Sequence, residues 1–305
     1  RSTLFPYTTL FRSEDLGALA LSTGSTLMVG AGKESILNLA AAASEQDALY
    51  VTVSSADTPV AAVVRTIAMD GLTSKGSDYA VPNNASAKAL AINGLSEGDA
   101  VNLYVYPSRQ SDVTVSWTDG KGMKNTNRQT LEANRVSVID LGSVPKSATG
   151  LTISATEPVM AAAKVTNDGD SDQADFALVN ASVPMNVSAM AVPDHATAQV
   201  SVTNTSDDDR TATLTSYNEA GGIVDQSDIT IQAGASTTVE LADVNDGDVA
   251  AVRLTDPNQS MVWNIRVSQK DVSDAKLAGV SIIGATDLKE AREQVWSNQN
   301  MTIVR

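Results

Sequence analysis

The chain has 305 residues, with 21 Lys and Arg against 36 Asp and Glu, one His, no Cys and a net charge of −15. Such an acidic chain repels nucleic acid and anionic lipid, and the lack of Cys excludes disulfides, thiol catalysis and thiolate metal sites. Aromatic residues make up only 4%, so any core must be built mostly from Ala and Val, and no apolar run reaches the roughly 18 residues that a membrane helix needs.

Residues 1–13 read RSTLFPYTTLFRS, which resembles, residue for residue, the in-frame translation of a common short-read sequencing adapter. We expect this stretch to be an artefact, to be set aside as a fusion scar would be. Without Arg1 and Arg12 the basic residues number 19 and the net charge becomes −17. Natural sequence is then expected to begin near Glu14, inside a repeat, with any signal or membrane anchor belonging to a part that precedes it.

From there the pattern is one of short strands. Leu27 to Ala80 reads as four strands with a helical turn around Ala41 to Gln46, the rear half (14–84) of a truncated sandwich repeat. Pro82 to Asn84 marks a boundary. A full repeat (85–184) opens with Ala87 to Ile92 and continues through Val101 to Tyr106 and Val113 to Trp117. A second full repeat (185–284) opens with Ser188 to Val192. Within it Val200 and Val202, then Ala212 and Leu214, then Ile229 and Ile231 alternate with polar residues, broken by SDDDR (206–210) and NEAGG (218–222). Period two marks half-buried strands. Ala233 and Gly234 read as a hairpin tip, NDGD (245–248) as another turn, and a last strand is expected near Leu277 to Ile283. In the tail (285–305), Leu288 to Val295 suits a short helix and Met301 to Val304 a strand.

The repeats align collinearly. Leu131, Ala133, Leu141, Leu151, Ile153, Lys164 and Val165 fall on Ile231, Ala233, Leu241, Val252, Leu254, Arg266 and Val267 after small loop adjustments, and Val29, Ala31, Gly32 and Leu39 fall on Ile231, Ala233, Gly234 and Leu241. Thr58-Pro59-Val60 with Arg65 answers Glu157-Pro158-Val159 with Lys164. The expected fold is all-β: tandem immunoglobulin-like β-sandwich repeats of about 100 residues, the first truncated. A propeller is disfavoured, since its blades run about 40 to 50 residues.

Candidate sites are few. Asp168, Asp170 and Asp172 stand on alternate residues with Asp175 behind them, and alternating carboxylates around a Gly can converge on calcium, although the bidentate Glu of an EF-hand loop is missing. A solvated acidic turn is the competing reading. Gly30 to Ser35 (GAGKES) mimics a phosphate loop but has Leu27 and Glu34 where that motif needs Gly and Ser or Thr. His195, the one histidine, sits in a connector next to Asp194 with no nucleophile elbow near it. Trp117 and Tyr217 occupy matching positions, which favours packing over sugar stacking. Trp263 matches Ala161, and the expectation is that Trp117 compensates for that small residue. An exposed set of Trp296, Trp117 and Tyr104 would instead build a glycan platform.

Three short signatures carry a family resemblance: the Ala-Gly tip (Ala31-Gly32, Ala233-Gly234), the Pro-Val strand (Pro59-Val60, Pro158-Val159) and the Asp-aromatic-Ala strand (Asp78-Tyr79-Ala80, Asp175-Phe176-Ala177). With them the chain resembles an actinobacterial family of secreted or membrane-anchored proteins of unknown function, the domain of unknown function 5719 type. Asn134 at the tip of the second repeat and the lost Pro-Val of the third depart from it. The resemblance implies an N-terminal anchor, an extracytoplasmic location and no known catalytic residues. The expected function is a non-catalytic envelope or secreted spacer and interaction protein that meets a cell-envelope glycan or protein. The alternatives are a carbohydrate-binding accessory module, a calcium-dependent adhesin and, ranked below them, a hydrolase-associated module.

Overall fold

The computed structural model describes residues 4–13, 17–19, 26–43, 46, 48–55, 59–83, 85–167, 175–193, 197–241, 249–268 and 279–288. They are almost entirely β, in agreement with the period-two pattern.

The chain opens with β1 (Leu4–Ser13), β2 (Gly17–Leu19), β3 (Thr26–Gly30), a helical turn α1 (Leu39–Ala42) and β4 (Leu49–Ser55). The adapter-like stretch thus supplies β1, which lies between β3 and β4 and pairs antiparallel with both, and with β2 at its end. The turn α1 begins where Asn38 Oδ1 accepts from the Ala41 N–H at 3.2 Å, a side-chain cap for an otherwise orphaned donor. Next, β5 (Val64–Asp70) and β6 (Thr73–Ala80) make a two-stranded antiparallel ribbon.

The following strands, β7 (Ala87–Asn93), β8 (Ala100–Pro107), β9 (Ser111–Asp119), β10 (Gly122–Leu131), β11 (Ser137–Ser143), β12 (Gly150–Thr166) and β13 (Phe176–Asn180), build a two-layer sandwich. One layer runs β10-β9-β12-β7 and the other β11-β8-β12-β13. The 17-residue β12 belongs to both: residues 150–155 pair with β9 and β7, residues 159–166 with β8, and the last five with β13. Its register shifts between Ser154 and Val159, which is where the strand turns the corner between layers. Leu151 and Ile153 before the corner, and Val159, Ala161, Ala163 and Val165 after it, all face one core.

A second sandwich repeats this plan with β14 (Val187–Ala191), β15 (Thr197–Asn204), β16 (Arg210–Tyr217), β17 (Ile223–Ile231), β18 (Ser236–Glu240), β19 (Ala251–Thr255), β20 (Met261–Ser268), β21 (Val280–Gly284) and the short β22 (Thr286–Asp287). Its layers run β17-β16-β19-β14-β22 and β18-β15-β20-β21. Here the counterpart of β12 is cut in two at Asp256 to Ser260. Asp256 is fully buried, and its carboxylate accepts the N–H groups of Asn258, Ser260 and Met261. One side chain therefore satisfies the turn that the other sandwich does without.

The tip at Ala233-Gly234 is an arch and not a hairpin. β17 pairs with β16 and β18 with β15, so the chain crosses from one layer to the other there, and the same holds between β10 and β11. An alternating pattern reads the same in either case, because both flanking strands turn their apolar side chains to one core. The tips share a left-handed residue, Gly32 (φ 65°), Asn134 (φ 61°) and Gly234 (φ 63°). Asn replaces Gly because it is among the few other residues that tolerate this region.

Candidate functional site at the sandwich junctions

Of the acidic group, Asp168, Asp170 and Asp172 lie outside the described residues, and Asp175 is described. Its N–H donates to Asn167 Oδ1 (2.8 Å) and its carbonyl accepts from the Asn167 N–H (3.1 Å), closing the neck of the loop. Its carboxylate does something the sequence did not suggest: Oδ2 accepts the N–H of Val280, in β21 of the other sandwich, at 3.1 Å. Among the described residues no cluster of three His, Asp or Glu is placed to hold a metal. His195 and Trp296 also lie outside the described residues.

The aromatic residues part company. Trp117 is buried in the first sandwich core, so it offers nothing to a sugar. Tyr217 does not match it. Leu151 pairs with Trp117 while its counterpart Val252 pairs with Ser216, which puts Tyr217 one residue out of step and on the outer face. There the Arg253 guanidinium stands 5.4 Å from its ring centre. Trp263 and Ala161 do correspond, facing Val202 and Val105. Where the first sandwich has Leu90, opposite Ile153, the second has Ser188, opposite Leu254, and Trp263 Nε1 donates to Ser188 Oγ at 2.7 Å. Large and small have been exchanged across the core, and the indole N–H has gained an acceptor. Tyr104 is half-buried on the outer face of β8.

What the described residues do bring together are junctions. Asn93 ends β7 with no exposed surface. Its N–H donates to Asn264 Oδ1 (2.9 Å), its amide nitrogen donates to Val262 O (2.9 Å), and its amide oxygen accepts from the Thr203 hydroxyl. Gly94 follows in the left-handed region (φ 81°), and a Cβ there would meet Ile282 at 3.1 Å. Its carbonyl accepts from Arg266 Nη1 at 3.0 Å. The same guanidinium grips Asp99 with two bonds, 2.6 and 3.1 Å, and both side chains are largely buried. A paired, fork-to-fork geometry of this kind is the one in which burying charge is tolerated. Val280 and Ile282 of β21 complete the first sandwich's own core.

The front of the chain meets the first sandwich in a similar way. Tyr50 stacks on Tyr106 with ring centres 3.8 Å apart and planes at 4°, and its hydroxyl donates to Met160 Sδ at 3.5 Å. Asp78 Oδ2 accepts the Leu178 N–H at 2.6 Å, as Asp175 accepts that of Val280. Asn83 donates to Ala161 O (2.8 Å) and Asn180 to Val81 O (3.1 Å). In each junction a carboxylate at β6 or β13 takes a backbone donor from the matching strand of the next unit, β13 or β21. Sequence reasoning singled out Arg266 only as the counterpart of Lys164 and passed over Asn93 and Asp99, whose partners across the junction are 110 to 171 residues away.

Fold and junctions together define a protein of successive two-layer β-sandwiches whose buried polar groups join one sandwich to the next. The chain belongs to the family of unknown function DUF5719, which matches residues 10–287. No curated protein matches it.

Proposed function

We propose that the chain is a non-catalytic, extracytoplasmic protein, secreted or held at the cell envelope, whose sandwiches act as a stiff spacer presenting interaction surfaces to an envelope glycan or protein. The observation that supports this reading is the junction between the sandwiches, where the Arg266–Asp99 pair and the Asn93–Asn264–Thr203 set are buried and mutually satisfied. Ordered contacts of this kind resist the relative motion that a small polar interface would permit. The test uses the absence of native Cys: spin labels at Arg109→Cys and Glu219→Cys, one on each sandwich, are expected to give a narrow distance distribution that broadens in Arg266→Ala. A broad distribution in the parent chain would remove the spacer reading.

A second reading, calcium-dependent adhesion through Asp168, Asp170, Asp172 and Asp175, has in its favour the closed neck that Asn167 and Asp175 make. Calcium would then raise the thermal midpoint by several degrees, and chelator or Asp170→Ala would abolish the rise. An unchanged midpoint leaves the loop as a solvated turn.

A further inference from the structure

Asn93-Gly94 is the sole Asn-Gly pair in the sequence, and such a pair has a chemistry of its own. The main-chain nitrogen that follows an Asn can attack the side-chain carboxamide. The bond from that nitrogen to Cγ forms, the bond from Cγ to Nδ2 breaks, and Nδ2 leaves as ammonia with the proton of the attacking N–H. The five-membered imide then takes up water and opens at either carbonyl, to aspartate or to isoaspartate, whose main chain runs through Cγ. Gly favours the attack because no Cβ hinders the approach or restricts the backbone.

In the docked molecule the junction stands in the way. Asn93 is fully buried and ends β7 paired with Gly150, whereas cyclisation needs its backbone to leave the extended conformation and its carboxamide to swing over the Gly94 nitrogen. The other sandwich holds that carboxamide at both ends, since Nδ2 donates to Val262 O at 2.9 Å and Oδ1 accepts from the Thr203 hydroxyl. The N–H of the residue donates to Asn264 Oδ1. Neither member of the pair is replaceable here. Only a carboxamide gives and takes a hydrogen bond at these two points, and Gly94, left-handed at φ 81°, has no room for a Cβ beside Ile282. The interface thus requires the reactive dipeptide and also shields it.

We propose that Asn93 is a modification site gated by the junction: it is inert while the sandwiches are docked, it loses ammonia when they part, and the product keeps them apart. In the aspartate product a carboxylate oxygen replaces the donor that faced Val262 O, so two acceptors meet at a buried point and a charge is left there unpaired. In the isoaspartate product one more main-chain carbon enters beside Gly94, where even a Cβ would stand 3.1 Å from Ile282. Opening thereby becomes irreversible, and the chain carries a chemical record of it. The inference rests on the geometry of the junction and holds whether or not the sandwiches serve as a spacer.

The test incubates the full chain at mildly alkaline pH and follows the amide-to-acid mass change at Asn93 by peptide mass spectrometry, with an isoaspartyl methyltransferase to report isoaspartate. The reaction is expected to run at least about tenfold slower in the native chain than in the same chain in urea, because it proceeds only through opening. Arg266→Ala should recover most of that difference while hydrogen exchange in β8 and β15 stays slow, which shows that both sandwiches remain folded. If that protection is lost, Thr203→Val, which removes only the hydroxyl on the carboxamide, takes its place and is held to the same outcome. Asn93→Asp should speed exchange at the amides of residue 93 and Val280, both bonded across the junction, at least about tenfold. A native rate equal to that in urea, or one that the junction variant leaves unchanged, would overturn the gating. Amides that stay protected in Asn93→Asp would show that the product docks again and overturn the irreversibility.

Discussion

At the scale of single residues the two sandwiches solve one packing problem in different ways. Trp263 fills a place where the other core has Ala161, and it does so only because Ser188 accepts its indole N–H. Ser188→Ala would leave that N–H buried without a partner and is expected to cost about 1–3 kcal/mol. Trp263→Ala would open a cavity and cost about 3–5 kcal/mol. Urea unfolding of the full chain measures both, and a Ser188→Ala variant as stable as its parent would show that the hydrogen bond contributes nothing net. Asn134 makes a second case. Its left-handed backbone (φ 61°) predicts that Asn134→Val costs about 1–2 kcal/mol through backbone strain, whereas Asn134→Gly keeps the conformation and should be the milder change. Equal losses in the two variants would mean that the hydrogen bond from the Tyr106 hydroxyl, and not the backbone, decides the position.

At the scale of elements, the hairpin of β9 and β10 holds two carboxyls below their ordinary range. A hydrogen bond from Lys124 holds the Asp119 carboxyl below its ordinary range, against the opposing effect of burial and with help from the Lys121 N–H. On the same hairpin Asp112 is lowered chiefly by its hydrogen bond from Thr130, with Arg128 adding to it. A carboxylate with a depressed folded pKa contributes stability that is complete above the unfolded value, about 3.9 for Asp, and is lost as the pH falls through the folded one. Asp119→Asn should therefore lower the thermal midpoint at neutral pH, and its gap from the parent should close as the pH falls to about 2. A gap that stays constant would show that charge has no part in it.

These elements were legible to different degrees. Alternation located most strands, since Val200 and Val202 or Leu151 and Ile153 turn alternate residues to one core. It could not tell an arch from a hairpin at Gly234. Nor could it see that β12 runs unbroken through Glu157-Pro158 while its counterpart breaks at Asp256, because that depends on one buried carboxylate collecting three N–H groups. Tyr217 was misplaced by one residue, and in a strand one residue is the difference between core and surface. The junction was hidden for another reason: Asn93, Asp99 and Arg266 belong to no local pattern and meet only when two finished sandwiches touch.

For the whole molecule, the junction couples what would otherwise be separate folding units. Removing one member of a buried ion pair strands the other, and Arg266→Ala is expected to cost about 3–5 kcal/mol. In calorimetry the parent should unfold its two sandwiches in one transition, and the variant in two. Two transitions in the parent would show that the junction is too weak to couple them. The placement of Val280 and Ile282 inside the first sandwich's core has a consequence for biosynthesis. A ribosome finishes β13 roughly 100 residues before it makes these side chains, and at about 5–20 residues per second the nascent sandwich waits roughly 5–20 s with part of its core unfilled. Folding during synthesis cannot then proceed strictly one sandwich at a time, and the partly filled intermediate is the species a chaperone would meet.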